Sequence, residues 1–309
     1  MKLRPRGDGS TWAWASLGGA PLLLLLIHTT LGLRPEHFVF VGMFVALVWT
    51  GPRARRFAAI AAPFVFTGLA YDFLRLFIHL RGEIHVADLF EAERALFGVS
   101  TSAGKVPISE LVAHATHPAL DALTGVVYLL YLIQVFAVGA YLYFRDQERM
   151  QRLSWGFAAA SLLGWIIWIA WPAAPPWYVD LYGAGPAVLD APSNPAGGAR
   201  FDALFGVHIF HAFYARSSNV FGAMPSLHVG YAVLPALASW SLGGRLRVFT
   251  IAWAALMAFS AMYLRHHYIL DILAGAAVAL AADRAVLFAQ RALLDPAPRK
   301  GGAAPEVSV

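Results

Sequence analysis

Two short polar strings interrupt a chain that is otherwise largely apolar: Ser226-Leu227-His228 and His266-His267-Tyr268-Ile269-Leu270-Asp271. Each opens a long hydrophobic run, where an ionisable side chain is expensive and marks a functional site by default. His267 and Asp271 are four residues apart, a spacing that puts two side chains on one helical face. Asp271 can then accept a hydrogen bond from one ring nitrogen of His267 and leave the other as a nucleophile or base. In the first string, Pro225 suits the first turn of a helix, because its missing N–H would be unpaired there anyway. The N–H groups of Ser226 and Leu227 are then free to point at an anion, as helix N-termini do for phosphate. His228 sits in the same turn, within reach of that anion. Taken singly, the strings also read as a capping serine beside an interfacial histidine and as a structural His–Asp pair. Together, their residue types and spacing point to phosphoryl transfer through histidine.

The elements that must position these residues are membrane helices. Of 309 residues, 59% are hydrophobic and only 13% charged, against about a quarter charged in a soluble domain. The expected class is therefore all-α, a polytopic transmembrane helix bundle forming a single catalytic domain over 1–294. Apolar runs of spanning length predict about eight spans. They lie near 12–33, 36–51, 57–80, 119–144, 153–174, 223–242, 246–265 and 267–290. The second is short and bounded by Arg34-Pro35-Glu36 and Gly51-Pro52-Arg53, so six or seven spans stay open. The basic start followed by Leu22 to Ile27 reads as an uncleaved first span. The segment 295–309, rich in Pro, Gly and Ala, is expected to be a disordered cytoplasmic tail.

Basic clusters orient the bundle. Lys2, Arg4 and Arg6 precede the first span; Arg53, Arg55 and Arg56 follow the second; Arg145, Arg149 and Arg152 separate the fourth and fifth. Arg245 and Arg247 separate the sixth and seventh, and Arg291, Arg299 and Lys300 follow the eighth. All fall on one side of an eight-span bundle, which the positive-inside rule makes the cytoplasm, with both termini. His228 and His267 then meet at the opposite, non-cytoplasmic face. The net charge of +5 is accounted for by topology and anionic lipid, so no nucleic-acid partner is expected. There is no cysteine, hence no thiol nucleophile or thiolate metal site. His208 and His211 without a carboxylate cluster make a poor metal site, and none is expected.

Both long connections fall outside. In 81–117, Leu89, Phe90, Leu96 and Phe97 can share one side of a helix, either flat on the outer leaflet or packed as a loop helix. The 175–222 segment is rich in Pro, Gly and aromatics, and a loop of that length is usually functional or disordered. Its Trp177, Tyr178, Phe210, Phe213 and Tyr214 favour a lid or wall over the site, with Tyr178 a candidate substrate contact.

The two strings resemble the second and third signatures of the phosphatidic acid phosphatase type 2 superfamily. More narrowly, Phe221-Gly-Ala-Met-Pro-Ser-Leu-His-Val-Gly230 and Met262-Tyr-Leu-Arg-His-His-Tyr-Ile-Leu-Asp-Ile-Leu-Ala-Gly275 resemble the inositol phosphorylceramide synthases. The likeness extends upstream through Pro175-Pro-Trp-Tyr178, Tyr182-Gly183 and Asn194 to Phe205-Gly206, and is much weaker over the first 110 residues. It implies a six-helix catalytic core and a reaction without metal or other cofactor. It implies that His267 forms a phosphohistidine, that Asp271 orients it, and that His228 protonates the departing lipid alkoxide and then deprotonates the acceptor.

The departures from the superfamily concern cations. No Lys-x6-Arg-Pro string is present, and Ser260 is followed by Ala261 where the superfamily has arginine. A phosphomonoester carries nearly two negative charges near neutral pH and a diester one, so the gap favours a diester donor. Arg265, Arg216 and Arg75 are the candidate replacements. Arg75, three residues after Asp72, reads slightly better as that acid's neutralising partner. His266 reads as a substrate-wall or interfacial residue.

The expected function is transfer of a phospho-headgroup, by resemblance phosphoinositol, from a glycerophospholipid to a lipid alcohol such as ceramide. The partners expected are those membrane lipids, with no obligatory protein partner. The location expected is a bacterial inner membrane. The rivals are a lipid phosphate phosphatase, in which water replaces the acceptor, and a non-enzymatic lipid transporter or scaffold.

Overall fold

Proline begins four of the helices. Pro35, Pro52, Pro118 and Pro176 each stand at a first helical position, where the ring's fixed φ suits the helix and its lost N–H is not missed. The computed structural model describes residues 10–102, 104–215 and 219–294. Their order is α1 (Ser10–Thr30), α2 (Pro35–Thr50), α3 (Pro52–Phe73, continued by a tighter turn Leu74–Leu80), α4 (Ala87–Phe97), β1 (Gly98–Thr101), β2 (Gly104–Pro107), α5 (Ile108–His114), α6 (Pro118–Leu129), α7 (Tyr131–Arg145), α8 (Gln147–Ala170), α9 (Pro176–Tyr182), α10 (Gly198–Phe205), α11 (Ile209–Tyr214), α12 (Leu227–Ser239), α13 (Gly244–Tyr263) and α14 (Ile269–Leu294). The expected tail 295–309 lies outside the described residues.

The molecule is an all-α membrane bundle. Among the described residues, α1, α3 with its continuation, α8, α13 and α14 are each long and apolar enough to cross a bilayer. The α6–α7 pair passes the same test jointly but bends by 56° at Leu130. The other two apolar helices, α2 and α12, are shorter. At about 1.5 Å per residue, the 16 residues of α2 reach about 24 Å of a core roughly 30 Å thick.

The centre of the bundle is α8, flanked by α3, α7, α12 and α14. Their shared core holds Phe64, Val135, Leu142, Met150, Leu153, Phe157, Leu234, Ala279 and Ala282. Lipid is as apolar as these side chains, so association rests on close packing and on polar contacts between helices. Gly164 supplies closeness: a Cβ there would stand 2.7 Å from the Leu227 side chain. Arg152 and Asp283 supply a polar tie between α8 and α14, with two hydrogen bonds of 2.6 Å. That tie lies far along α14 from its polar start, so the two ends of the helix are fastened by different means.

At the end carrying the polar strings, the connections form an ordered outer layer. Backbone segments around His85, Ala173 and Gly222 pair side by side in parallel. This joins the start of the first connection, the exit of α8 and the approach to α12. Helix α4 turns Leu89 and Glu93 inward and leaves Leu96 68% exposed. It is therefore a packed loop helix against Ala173, Tyr268 and Leu270, with Leu96 off the inward face that the sequence pattern assigned it. A β1–β2 hairpin follows, pairing Gly98 with Pro107 and Thr101 with Gly104. The second connection folds into α9, α10 and α11, whose aromatics join two buried clusters.

Candidate active site

The turn between α13 and α14 carries the second polar string. It is an unusual turn, because Arg265 adopts φ +63°, a left-handed conformation that costs a non-glycine residue about 1–2 kcal/mol. The outer layer holds it there. The Trp177 N–H donates to the Arg265 carbonyl at 3.1 Å, and the Gly197 N–H to the Leu264 carbonyl at 3.0 Å. The Arg265 guanidinium grips both oxygens of Asp180. Beneath the turn, the His266 and His267 amides both donate to the Ala261 carbonyl at 3.1 Å.

His267 therefore stands outside α14, two residues before its first helical position, Ile269. The expectation that His267 and Asp271 share a helical face is corrected here: the turn, not a helix, brings them together. His267 Nδ1 lies 3.5 Å from Asp271 Oδ2, an ion-pair separation longer than a well-formed hydrogen bond. Asp271 is fully buried, and its Oδ2 accepts the Tyr268 N–H at 2.8 Å. Buried polar atoms are almost always paired. Yet Arg265 Nη1, His266 Nε2, His267 Nδ1 and Asp271 Oδ1 are all buried without a hydrogen-bond partner. These unmade bonds fall together in the 265–271 turn.

The first string packs directly onto this spot. The Ser226 N–H donates to the Asp271 carbonyl at 2.9 Å. This corrects the expectation of a free Ser226 amide. Helices α12 and α14 come so close that a Cβ on Gly275 would meet the Ser226 carbonyl oxygen at 2.1 Å. Ser226 Oγ also caps α12 by accepting the Val229 N–H at 3.5 Å. The first N–H groups of a helix have no intrahelical partner, so the donors left at this mouth are those of Leu227 and His228. The Leu227 side chain is buried in the central core.

The rings of His228 and His267 lie 5.7 Å apart between centroids, close enough for both to reach one phosphoryl group. Tyr128 stacks on His228 at 4.3 Å and on His266 at 5.0 Å, and Tyr214 stacks on His266 at 4.6 Å with its hydroxyl 3.2 Å from that of Tyr128. The Tyr128 hydroxyl is 3.2 Å from His228 Nδ1. With the rings nearly parallel, that oxygen lies over the imidazole face rather than along the in-plane lone pair, so stacking is the stronger part of the contact. The ring of Tyr131 also packs beside His228, tilted by 54° at 4.6 Å.

The candidate cations fare differently. Arg265 borders the site, but Asp180 occupies two of its nitrogens and leaves Nη1 free. Arg75 turns away: it donates to the Leu31 carbonyl, while Asp72 is held by Arg34 and by His37. The expected Arg75–Asp72 pair is thus replaced by partners from the start of α2. Arg216 lies outside the described residues. Tyr178 is not brought to the histidines by any hydrogen bond or ring contact; its buried hydroxyl accepts the Val188 N–H at 2.7 Å, and its ring packs against Tyr182 and Phe221. Among the described residues, no group of three or more His, Asp or Glu side chains is placed to hold a metal ion.

Two residues at the site were not anticipated. Tyr128 falls in an apolar run with nothing local to distinguish it. Glu93 did leave a signal: it follows Leu89 by four residues, on the inward face of α4. Its two carboxylate oxygens accept the N–H groups of Ile269 and Leu270 at 3.0 and 3.1 Å. Burial pushes its carboxyl above the usual range. The two backbone donors pull it back, and the nearby charge of Asp271 raises it again.

A helical membrane bundle with two histidines and a buried aspartate converging at one end of its core is a membrane-embedded enzyme. The chain belongs to the PAP2 superfamily, whose pattern matches residues 89–285, from α4 into α14. It is 36% identical over 265 residues to the phosphoinositol dihydroceramide synthase of Bacteroides thetaiotaomicron, covering 84% of this chain and 86% of that one. It is 35% identical over 175 residues to the inositol phosphorylceramide synthase catalytic subunit of Schizosaccharomyces pombe, covering 56% of this chain and 42% of the relative. It is 34% identical over 175 residues to the inositol phosphorylceramide synthase of Candida albicans, covering 56% and 37%. No solved structure matches the chain.

Proposed function

We propose that this enzyme transfers phosphoinositol from a glycerophospholipid to a ceramide-type lipid alcohol through a phosphohistidine on His267. The observation that carries the reading is the facing pair of imidazoles, His228 and His267, with buried Asp271 behind the second. Asp271 faces Nδ1 of His267, so Nε2 is the nitrogen left to attack. In the first step Nε2 bonds to phosphorus, the phosphorus–oxygen bond to the glycerol breaks, and His228 gives its proton to the departing alkoxide. In the second step His228 takes the proton of the acceptor hydroxyl. That oxygen attacks phosphorus, the nitrogen–phosphorus bond breaks, and His267 is restored. Asp271 stabilises the positive charge that develops on His267 in each step.

The names of the relatives support inositol as the headgroup and ceramide or dihydroceramide as the acceptor. Among the described residues, the candidate cations Arg265 and Arg75 are largely engaged by Asp180 and by the Leu31 carbonyl, which supports a monoanionic diester donor. The chain works as a single membrane-embedded catalytic domain with both termini in the cytoplasm and the site at the non-cytoplasmic face, in a bacterial inner membrane. Membrane lipids are its only required partners, and the outer layer of α9–α11 is the wall that keeps water from the phosphohistidine. The test is to incubate the purified protein with phosphatidylinositol and ceramide or dihydroceramide and identify products by mass spectrometry. Diacylglycerol and inositol phosphorylceramide in equal amounts are expected. Release of inorganic phosphate from phosphatidic acid, without transfer from any diester, overturns the reading.

A further inference from the structure

His267 lies ahead of α14, so no i→i−4 hydrogen bond spans it and Asp271. Their relative position depends on the backbone of Tyr268, Ile269 and Leu270. The amides of that stretch belong to the first turn and have no intrahelical acceptor. A helix start is ordinarily capped by a nearby Ser, Thr, Asp or Asn. Here the residue before the helix is Tyr268, which has no oxygen placed for that task. Asp271 takes the Tyr268 amide. The next two amides, Ile269 and Leu270, go to one carboxylate brought in from α4, that of Glu93.

This is a costly arrangement. Glu93 is 0% exposed and has no cationic partner among the described residues; the neighbouring Arg94 pairs outward with Glu91. Its charge also repels the buried Asp271. A buried carboxylate without a counter-cation is stabilised here only by two backbone donors and the positive end of α14. A cap needed only for stability would be met more cheaply by a neutral side chain of the turn itself. What a distant carboxylate adds is registration. It ties the 268–270 backbone to α4, and α4 packs on Leu270 of the second string and on Met224, two residues before the first.

The geometry points to Glu93 as a positioning residue for the transfer step: it fixes the turn that sets His267 against Asp271, without itself touching the reacting atoms. The inference rests on His267 being the nucleophile. Misplacing a reacting group by about 1 Å can cost on the order of 100-fold in rate.

Glu93→Gln keeps one acceptor but sets an NH2 group against the second amide, while Glu93→Asp keeps both acceptors on a shorter stem. In the full-length protein, Glu93→Gln is expected to lower kcat for headgroup transfer by about 10–100-fold with KM changed less than about threefold. Glu93→Asp is expected to recover at least about a third of that loss on a logarithmic scale. Hydrogen exchange over the peptide 264–275 gives a readout independent of activity: exchange is expected to be faster in Glu93→Gln than in wild type. Wild-type kcat in Glu93→Gln overturns the proposal. So does a loss of activity that only tracks the folded fraction, with Glu93→Asp no better than Glu93→Gln. If wild-type protein shows no transfer at all, the functional reading fails instead, and unaltered exchange in Glu93→Gln would separately refute the tie between α4 and the turn.

Discussion

His267 Nδ1 and Asp271 Oδ2 stand 3.5 Å apart, with the histidine outside α14 and the aspartate in its first turn. This separates two jobs that a shared helical face would have merged. The helix supplies the buried carboxylate. The strained turn at Arg265 aims the imidazole, and contacts from the outer layer decide how closely the two meet.

Replacing His267 with Ala is expected to abolish turnover while leaving the fold and donor binding largely intact. The side chain is small relative to the core clusters, and its loss leaves the Ala261 carbonyl still bonded by backbone amides. Removing one member of a covalent catalytic unit costs about 10⁶-fold in a comparable hydrolase. Measured headgroup transfer above a tenth of the wild-type rate would mean that the nucleophile lies elsewhere.

Asp271→Asn is expected to lower kcat by about 10²–10⁴-fold, with a modest loss of stability. The amide oxygen can still accept the Tyr268 N–H, but a neutral group does not stabilise the cation that builds on His267. Wild-type kinetics in this variant would reduce Asp271 to a cap for the turn.

The parts read correctly from sequence are those that the membrane enforces locally. A lipid-facing helix must be apolar for its whole length, so the long helices are visible as runs. The parts misread depend on contacts made at a distance. The four-residue spacing of His267 and Asp271 looks helical until Arg265 breaks the helix before them. Asp72 and Arg75 look like partners until Arg34 and His37 arrive from another helix. The Ser226 amide looks free until Gly275 lets α14 close on it. The β1–β2 hairpin offers only four residues per strand, too few to establish an alternating pattern. Glu93 was visible only as a charge on the wrong side of a loop helix.

The orientation of the bundle can be tested on this naturally cysteine-free chain. Single cysteines at Ser100 and Leu189, both exposed in the outer layer, are expected to react with an impermeant thiol reagent in intact cells or right-side-out vesicles. Cysteines at Glu148 and Ser241, exposed at the opposite end, are expected to react only after the membrane is opened. The basis is the one-sided distribution of arginines. The reverse pattern would put the histidines on the cytoplasmic leaflet.

The last prediction concerns charge at the site. Among the described residues, Arg265 is the candidate cation placed beside His267, and Asp180 already holds two of its nitrogens. Arg75 is bonded to the Leu31 carbonyl, and Ala261 stands where the superfamily has arginine. Each charge-assisted hydrogen bond to a phosphate is worth about 1.5–3 kcal/mol in a partly dry site, so a site whose described candidate cations are already engaged discriminates against a dianion. The enzyme is therefore expected to prefer phosphatidylinositol over phosphatidic acid. It is expected to pass the headgroup to a lipid alcohol faster than to water, because the rings of Tyr128 and Tyr214 packed against His228 and His266 offer an apolar surface to a lipid acceptor. Asp180→Asn removes the counter-charge and one of the two acceptors that hold the Arg265 guanidinium, and is expected to raise the relative rate on phosphatidic acid. The measurement is a side-by-side assay of both lipids in detergent, with and without ceramide, for wild type and Asp180→Asn. Faster phosphate release from phosphatidic acid than transfer from any diester in the wild-type enzyme would make hydrolysis the better account of the site.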